Sequence, residues 1–180
     1  MRRKTEVTME LWDLLDGDGK PTGRLLERGK PVPRGYYYKF VHVLVYSEKY
    51  GLLVQKRAMS KKSHPGEWTV TGGAVIAGED SRTAAHRELL EEIGLDIPPE
   101  RFRLVAKLRR RYAFLDLWAV RTDAAPEDCT LQAEEVDAIR FVGPREFLKV
   151  AAPDNGRRYP LYYRALISYL KSEKLLRANG

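Results

Sequence analysis

Glu88, Glu91 and Glu92 stand at i, i+3 and i+4 in a stretch where Ala85, Leu89 and Ile93 recur at every fourth position. On an α-helix that spacing gathers three carboxylates on one face beside an apolar one. Such a helix is poor on its own. Glu88 and Glu92 are like charges one turn apart, and Glu91 and Glu92 lie toward the negative end of the helix dipole. Arg87 is the nearby counter-charge, four residues before Glu91. A solvated acidic face is one reading. A hard divalent cation is the other, since Mg2+ or Mn2+ prefers oxygen ligands and removes the repulsion.

The flanks set the boundaries. Asp80 or Ser81 can cap a helix start by accepting a backbone N–H, and Gly94 suits the left-handed turn past a helix end. Upstream stand Gly72 and Gly73, whose carbonyls can approach a metal because no Cβ intervenes. From Gly73 to Leu95 the chain reads G-x5-E-x7-R-E-U-x-E-E-x-G-U, with U aliphatic. Gly73, Glu79, Arg87, Glu88, Leu89, Glu91, Glu92, Gly94 and Leu95 fill every defined slot. Agreement at that many fixed positions is far more specific than a lone glycine motif. The stretch 72–95 resembles the box of the Nudix hydrolase family, complete and without a deviation.

That resemblance implies metal-dependent hydrolysis of a pyrophosphate bond in a nucleoside diphosphate linked to another group, or in a similar small diphosphate, with Mg2+ or Mn2+ as cofactor. Matched residue by residue, Glu88, Glu91 and Glu92 are the implied metal ligands and catalytic carboxylates, Glu88 also serving as a candidate base. Arg87 orients a box carboxylate. Glu79 supports the loop or reaches metal through water, and the carbonyl of Gly72 or Gly73 completes the shell. Glu135 matches the loop where many relatives carry a further glutamate; Glu134 is the alternative, and a solvated acidic turn is the bland reading. Arg57, Arg109 and Arg111, with Lys56 and Arg110, are candidate phosphate contacts, since a guanidinium suits bidentate phosphate binding. Strand side chains alternate, so one or two of these at most point inward.

Two rival functions follow from other stretches. Leu53–Lys62 and Pro65–Thr69 resemble isopentenyl-diphosphate isomerase, an enzyme of the same fold. That chemistry needs a cysteine and a metal-binding histidine near the start of the box, where this chain has Gly72-Gly73-Ala74. A basic RNA-directed or non-catalytic binding module built on Arg109–Arg111 is the other rival, although neither an RNP1 pattern nor a zinc knuckle is present.

The chain has 180 residues, 43% hydrophobic and 32% charged, which suits a single globular domain over 1–180. A net charge of +7 attracts anions, and since the glutamate helix is acidic the positive charge must lie elsewhere. Cys129 is alone, which excludes an intrachain disulfide and a paired-cysteine zinc site and makes a reducing cytoplasm the expectation. No apolar run is long enough to span a bilayer. The expected partner is a small nucleotide or diphosphate. No membrane is expected, a nucleic acid is the weaker option, and a homodimer is left open.

The elements expected to position the site are those of an α/β (α+β) chain with a mixed sheet. Residues 7–28 read as an N-terminal hairpin with a strand over 9–15, turning at Asp16–Gly19, and with its loop it occupies 1–35. The aspartates of that turn fail the calcium-loop pattern, because Lys20 and Pro21 stand where a ligand and a glycine are needed. Trp12 reads as a hairpin-face aromatic. Strands are expected over 36–46, apolar on both faces with His42 a satisfied core histidine, and over 52–57 and 68–71. Strands over 102–108 and 112–120 pair about Arg109–Arg111, and another covers 138–142. Helices are expected at 144–150 and, opening with Pro160, over 160–177. With the resemblance added, the expected form is an α/β/α sandwich with a mixed central sheet.

Overall fold

The computed structural model describes residues 10–176. Its organising strand is β3 (Tyr38–Ser47). The hairpin strands β1 (Leu11–Leu15) and β2 (Pro21–Glu27) precede it, and β4 (Gly51–Arg57) follows. Next come two short strands, β5 (Trp68–Thr69) and β6 (Thr71–Ala74), and helix α1 (Ser81–Ile93). The antiparallel pair β7 (Arg103–Arg109) and β8 (Ala113–Arg121) leads to β9 (Val136–Val142), α2 (Pro144–Ala151) and α3 (Pro160–Ser172).

β3 is apolar on both faces because both are covered. Val41, Val43 and Val45 pack with Leu53, Trp118 and Val120 against Ala84, Ala85, Leu89 and Ile93 of α1. On the opposite face Leu44 packs with Leu52, Val54, Leu115 and Leu117 against Phe147 of α2 and Tyr162, Leu166 and Leu170 of α3. The result is the α/β/α sandwich with a mixed sheet: β3 runs parallel to β8, and the other pairings are antiparallel.

The sheet splays between its two central strands. β3 and β4 pair only at Tyr46↔Leu52 and Ser47↔Gly51. Beyond that point β6 takes the edge of β3, through Phe40↔Ala74 to Val43↔Thr71, while β5 pairs with β4 and β9 takes its other edge. The single strand expected over 68–71 is therefore two strands parting at Val70, each following a different neighbour. Gly72 and Gly73 lie within β6, at the mouth of the splay.

The hairpin β1–β2 forms its own two-stranded sheet and is fastened to the loop ahead of α1. Ala77 N–H donates to the Leu11 carbonyl at 2.8 Å, Gly78 N–H to Asp13 Oδ2 at 2.8 Å, and Leu15 bridges Tyr37. The Asp16 carboxylate accepts from the N–H groups of Asp18 and Lys20 and so closes the turn. The hairpin's expected start, residues 7–9, lies outside the described residues. β3 starts two residues later than expected and β9 two residues earlier. The last helix ends at Ser172, short of the expected 177. Lys174 adopts φ 57, and Leu176 N–H closes back on the Leu170 carbonyl at 2.9 Å, a capping bond that terminates a helix. Among the described residues no helix is long and apolar enough to cross a membrane.

Candidate active site

α1 begins and ends where its caps dictate. The Asp80 carboxylate accepts from Arg82 N–H and Thr83 N–H at 2.9 and 3.1 Å, a cap that stabilises a helix by about 1 kcal/mol. Gly94, at φ 76, donates its N–H to the Leu90 carbonyl. Ala84, Ala85, Leu89 and Ile93 are fully buried, which fixes the rotation of the helix about its axis. With that rotation Glu88 and Glu92 turn inward over β6, and Glu91 turns out, its side chain 53% exposed.

Glu88 lies against the backbone of Gly73. A Cβ at Gly73 would stand 2.3 Å from the Glu88 carboxylate, so only glycine permits the approach. Arg87 is the hub beside it. Its Nε and Nη2 donate to Glu79 at 2.9 and 3.0 Å, Nη1 donates to Glu88 Oε1 at 2.8 Å and to Glu91 Oε2 at 3.1 Å, and Nη2 also reaches the Ala74 carbonyl at 3.0 Å. Glu79 is further engaged by Ile76 N–H at 3.2 Å. Both Glu79 oxygens are thus committed to Arg87 and the loop, which makes it a support of the box.

Glu92 is buried at 5% exposure. Gln55 donates to its Oε2 at 2.8 Å and accepts from the Thr71 hydroxyl at 3.0 Å. Burial pushes the Glu92 carboxyl up to about 7 against that bond, and the Glu88 and Glu135 charges push the same way. Burial likewise raises Glu88, with Arg87 pulling it down. Glu135 stands at the rim, paired with Lys61 at 2.5 Å.

These groups open on a cavity of about 1030 Å3 that passes through the mouth of the splay. Glu88, Glu91, Glu92, Glu135, Gly72 and Gly73 line its acidic end. The other end is aromatic. Trp12 stacks on Tyr38 with centroids 4.7 Å apart, Tyr38 lies 6.1 Å from Phe40, Phe40 meets His42 edge-on, and His42 meets Tyr162 edge-on. His42 Nδ1 lies 2.9 Å from the Tyr162 hydroxyl, and burial lowers its pKa to about 3, so it is a neutral, satisfied wall residue. Trp12 is therefore both a hairpin aromatic and part of the cavity wall. The hairpin adds Glu10 and Arg28, which pair at 2.5 Å.

The arginines expected at phosphate divide. Arg57 lines the cavity, with its Nε donating to the Ser63 carbonyl at 3.0 Å. Arg109 and Arg111 do not line it: they lie over the rings of Tyr37 and Tyr112, at 4.7 and 4.8 Å. Arg110 between them turns inward, over Tyr159 at 3.6 Å and Tyr162 at 5.1 Å. Alternation along the β7–β8 connection sends the middle arginine to the cavity and its neighbours to solvent. Sequence reasoning missed Gln55, Lys61, Tyr38, Tyr162 and Arg28. Gln55 alone carried a sequence signal, as an amide directly after the apolar run Leu52–Val54 of a central strand.

The donor chemistry suits a hard cation. Glu88 Oε2, Glu91 Oε1 and Glu92 Oε1 have no side-chain partner among the described residues, and the raised carboxyls mark unneutralised, buried negative charge. The three carboxylates do not yet converge. Among the described residues no three His, Cys, Asp or Glu side chains stand close enough together to hold an ion. Arg87 takes one oxygen each of Glu88 and Glu91.

A family model described as the NUDIX domain matches residues 38–164, leaving the hairpin β1–β2 outside. The chain is 35% identical to an uncharacterised Nudix hydrolase of Listeria innocua over 165 residues, covering 91% of this chain and 96% of that one. It is 30% identical to an isopentenyl-diphosphate Delta-isomerase of Corynebacterium diphtheriae, covering 78% of this chain and 82% of that one. Among solved structures, one from Deinococcus radiodurans superposes with a TM-score of 0.69 at 22% identity, over 87% of this chain and 99% of that one.

Proposed function

The chain belongs to the Nudix hydrolase family, and on that premise we propose that it cleaves the pyrophosphate bond of a nucleoside diphosphate derivative in the cavity beneath α1. The observation that carries this reading is the Glu88 carboxylate seated on Gly73, beside buried Glu92 and clamped by Arg87. Glu88, Glu92 and Glu91 would hold a divalent cation, Mg2+ or Mn2+, with a carbonyl of Gly72 or Gly73. Such an ion, when bound, neutralises phosphate oxygens and acidifies a water.

The chain's own groups do the rest. Glu88 is the candidate base, because its second oxygen faces no side-chain donor while Arg87 fixes the first. Gln55 holds Glu92 in one orientation. Arg87 screens Glu88 and Glu91 from each other in the free protein, and releasing Glu91 would let that side chain turn in. Glu135, whose two oxygens are both held by the Lys61 ammonium, is the candidate further glutamate at the rim. The Trp12–Tyr38–Phe40 wall offers π-faces to a planar group and excludes water from that end.

The isomerase relatives share the fold, but among the described residues no cysteine lines the cavity; Cys129 is packed beneath the 3-10 turn at 126–128. Hydrolysis is therefore the reading favoured. Its test is a panel of nucleoside diphosphate-linked compounds with Mg2+ and with Mn2+, followed by release of nucleotide or phosphate. Turnover that Glu92→Gln abolishes supports it. Isomerisation of isopentenyl diphosphate without hydrolysis of any compound overturns it.

A further inference from the structure

Arg110 and Arg158 both reach the ring of Tyr159, with guanidinium carbons 3.6 and 5.5 Å from its centroid. Both line the aromatic end of the cavity. Among the described residues neither guanidinium has a carboxylate partner. The nearest acid in sequence, Asp154, lines the same end, but its oxygens accept from the N–H groups of Gly156 and Arg158. Of the other arginines that line the cavity, Arg28 has Glu10 and Arg87 has its glutamates, while Arg57 donates to the Ser63 carbonyl. Two unmatched cations at one tyrosine, Arg110 half-buried and Arg158 exposed, repel each other, and an anion between them relieves the repulsion.

Their surroundings add to this. Arg110 is half-buried over Tyr162, a ring of the α3 face. Its charge is felt along the wall, where it depresses His42 after burial has done so and opposes the burial that raises Tyr38 and Tyr162. His42 stays neutral and does not compete for an anion. The glutamates belong to α1 on the opposite face, with β3 and β6 between. The two ends are thus chemically opposite: carboxylates that bind a cation at one, guanidiniums that bind an anion at the other, and stacked rings joining them.

We infer that Arg110 and Arg158 form a second anion subsite, which takes a phosphate of the substrate other than the diphosphate that is cleaved. This rests on the hydrolase reading and deepens it: the substrate class becomes a nucleoside diphosphate derivative with a further phosphate remote from the scissile bond, its base or other planar group lying along Tyr38 and Phe40. A guanidinium stacked on a ring presents its N–H edge to a phosphate in a fixed orientation, which a lysine at the same place does not.

The test is binding without turnover, so that it stands apart from whether the protein hydrolyses anything. Adenosine 5′-monophosphate, adenosine 2′,5′-bisphosphate and adenosine 3′,5′-bisphosphate are titrated calorimetrically into the protein with Mg2+ present. The expected result is that one bisphosphate binds about 10- to 100-fold more tightly than the monophosphate, the usual worth of a charge-assisted contact. In Arg110→Gln that ratio falls toward one, and Arg110→Lys retains only part of it. Arg158→Gln, on the exposed loop, moves the ratio the same way and serves where Arg110→Gln lowers Tm. Equal affinity of wild type for all three nucleotides, no binding of any, or a ratio untouched in both Gln variants overturns the subsite.

Discussion

Gln55 is a buried amide whose two ends are both used: its nitrogen donates to Glu92 at 2.8 Å and its oxygen accepts from Thr71 at 3.0 Å. Glu92 therefore has a neutral partner in place of a cation. A neutral donor orients a carboxylate without cancelling its charge, leaving that charge for a ligand. Gln55→Leu removes the donor and is expected to lower stability by about 1–3 kcal/mol, since buried polar atoms lose their partner. It also lowers kcat more than it raises KM. Unchanged urea midpoint and unchanged kcat would remove Gln55 from the site.

Glu92→Gln is expected to keep the fold and to lose at least about 100-fold in kcat. Its second signature is a pH dependence in metal-free buffer. Glu92 carries a folded pKa of about 7, against ~4.3 in an unfolded chain. The folded state binds that proton more tightly, so the Glu92 contribution to stability falls as pH rises through this window and the penalty is complete above pH 7, on the order of 4 kcal/mol at most. Glu92→Gln escapes it. Relative to wild type the variant gains stability between pH 5 and pH 8, read as urea midpoints with EDTA present. His42, with a pKa near 3, acts in the opposite sense below its unfolded value and cancels in the difference. A difference that does not change with pH would contradict the buried, unneutralised carboxyl.

Adding Mg2+ or Mn2+ at pH 8 is expected to raise the Tm of wild type, because a ligand that binds only the folded state stabilises it. The rise is largely lost in Glu92→Gln and in Glu88→Gln. Equal rises in all three proteins would place the cation elsewhere.

Arg87→Lys keeps the charge but cannot span Glu79, Glu88, Glu91 and the Ala74 carbonyl together. The expected outcome is a drop in kcat of roughly 10- to 100-fold with a smaller loss of Tm, since the clamp fixes catalytic geometry. Full activity in the lysine variant would show that a point charge suffices.

Gly73→Ala places a methyl group 2.3 Å from the Glu88 carboxylate. The variant is expected to fold, with circular dichroism unchanged, and to lose most of its activity because Glu88 is driven off its seat. A fully active alanine variant would mean that Glu88 works from another position.

The helix that carries the glutamates was legible because local rules decide it. Asp80, Gly94 and the Ala85–Leu89–Ile93 stripe set its ends and its buried face, and these need no distant partner. The two-sided burial of β3 was legible from its apolar run for the same reason. What the sequence did not show is what tertiary contact decides. Val70 parts β5 from β6 only because β3 and β4 diverge. Gln55 meets Glu92 across 37 positions of chain, and His42 meets Tyr162 across 120. Three adjacent arginines look alike in sequence, and the course of the backbone between β7 and β8 chooses Arg110. The last helix ran short because Lys174 took a left-handed conformation that its residue type does not advertise.

The parting of β3 from β4 has a consequence for how such a chain can change over generations. Neighbouring side chains of β3 belong to different rooms: Tyr38, Phe40 and His42 furnish the aromatic one, while Val41 and Val43 hold up the helix that bears the glutamates. A substitution in the first set alters what is admitted and leaves the second set untouched. Selectivity can then drift by single replacements while the reaction stays under separate custody, one strand serving as the wall between two independently editable halves.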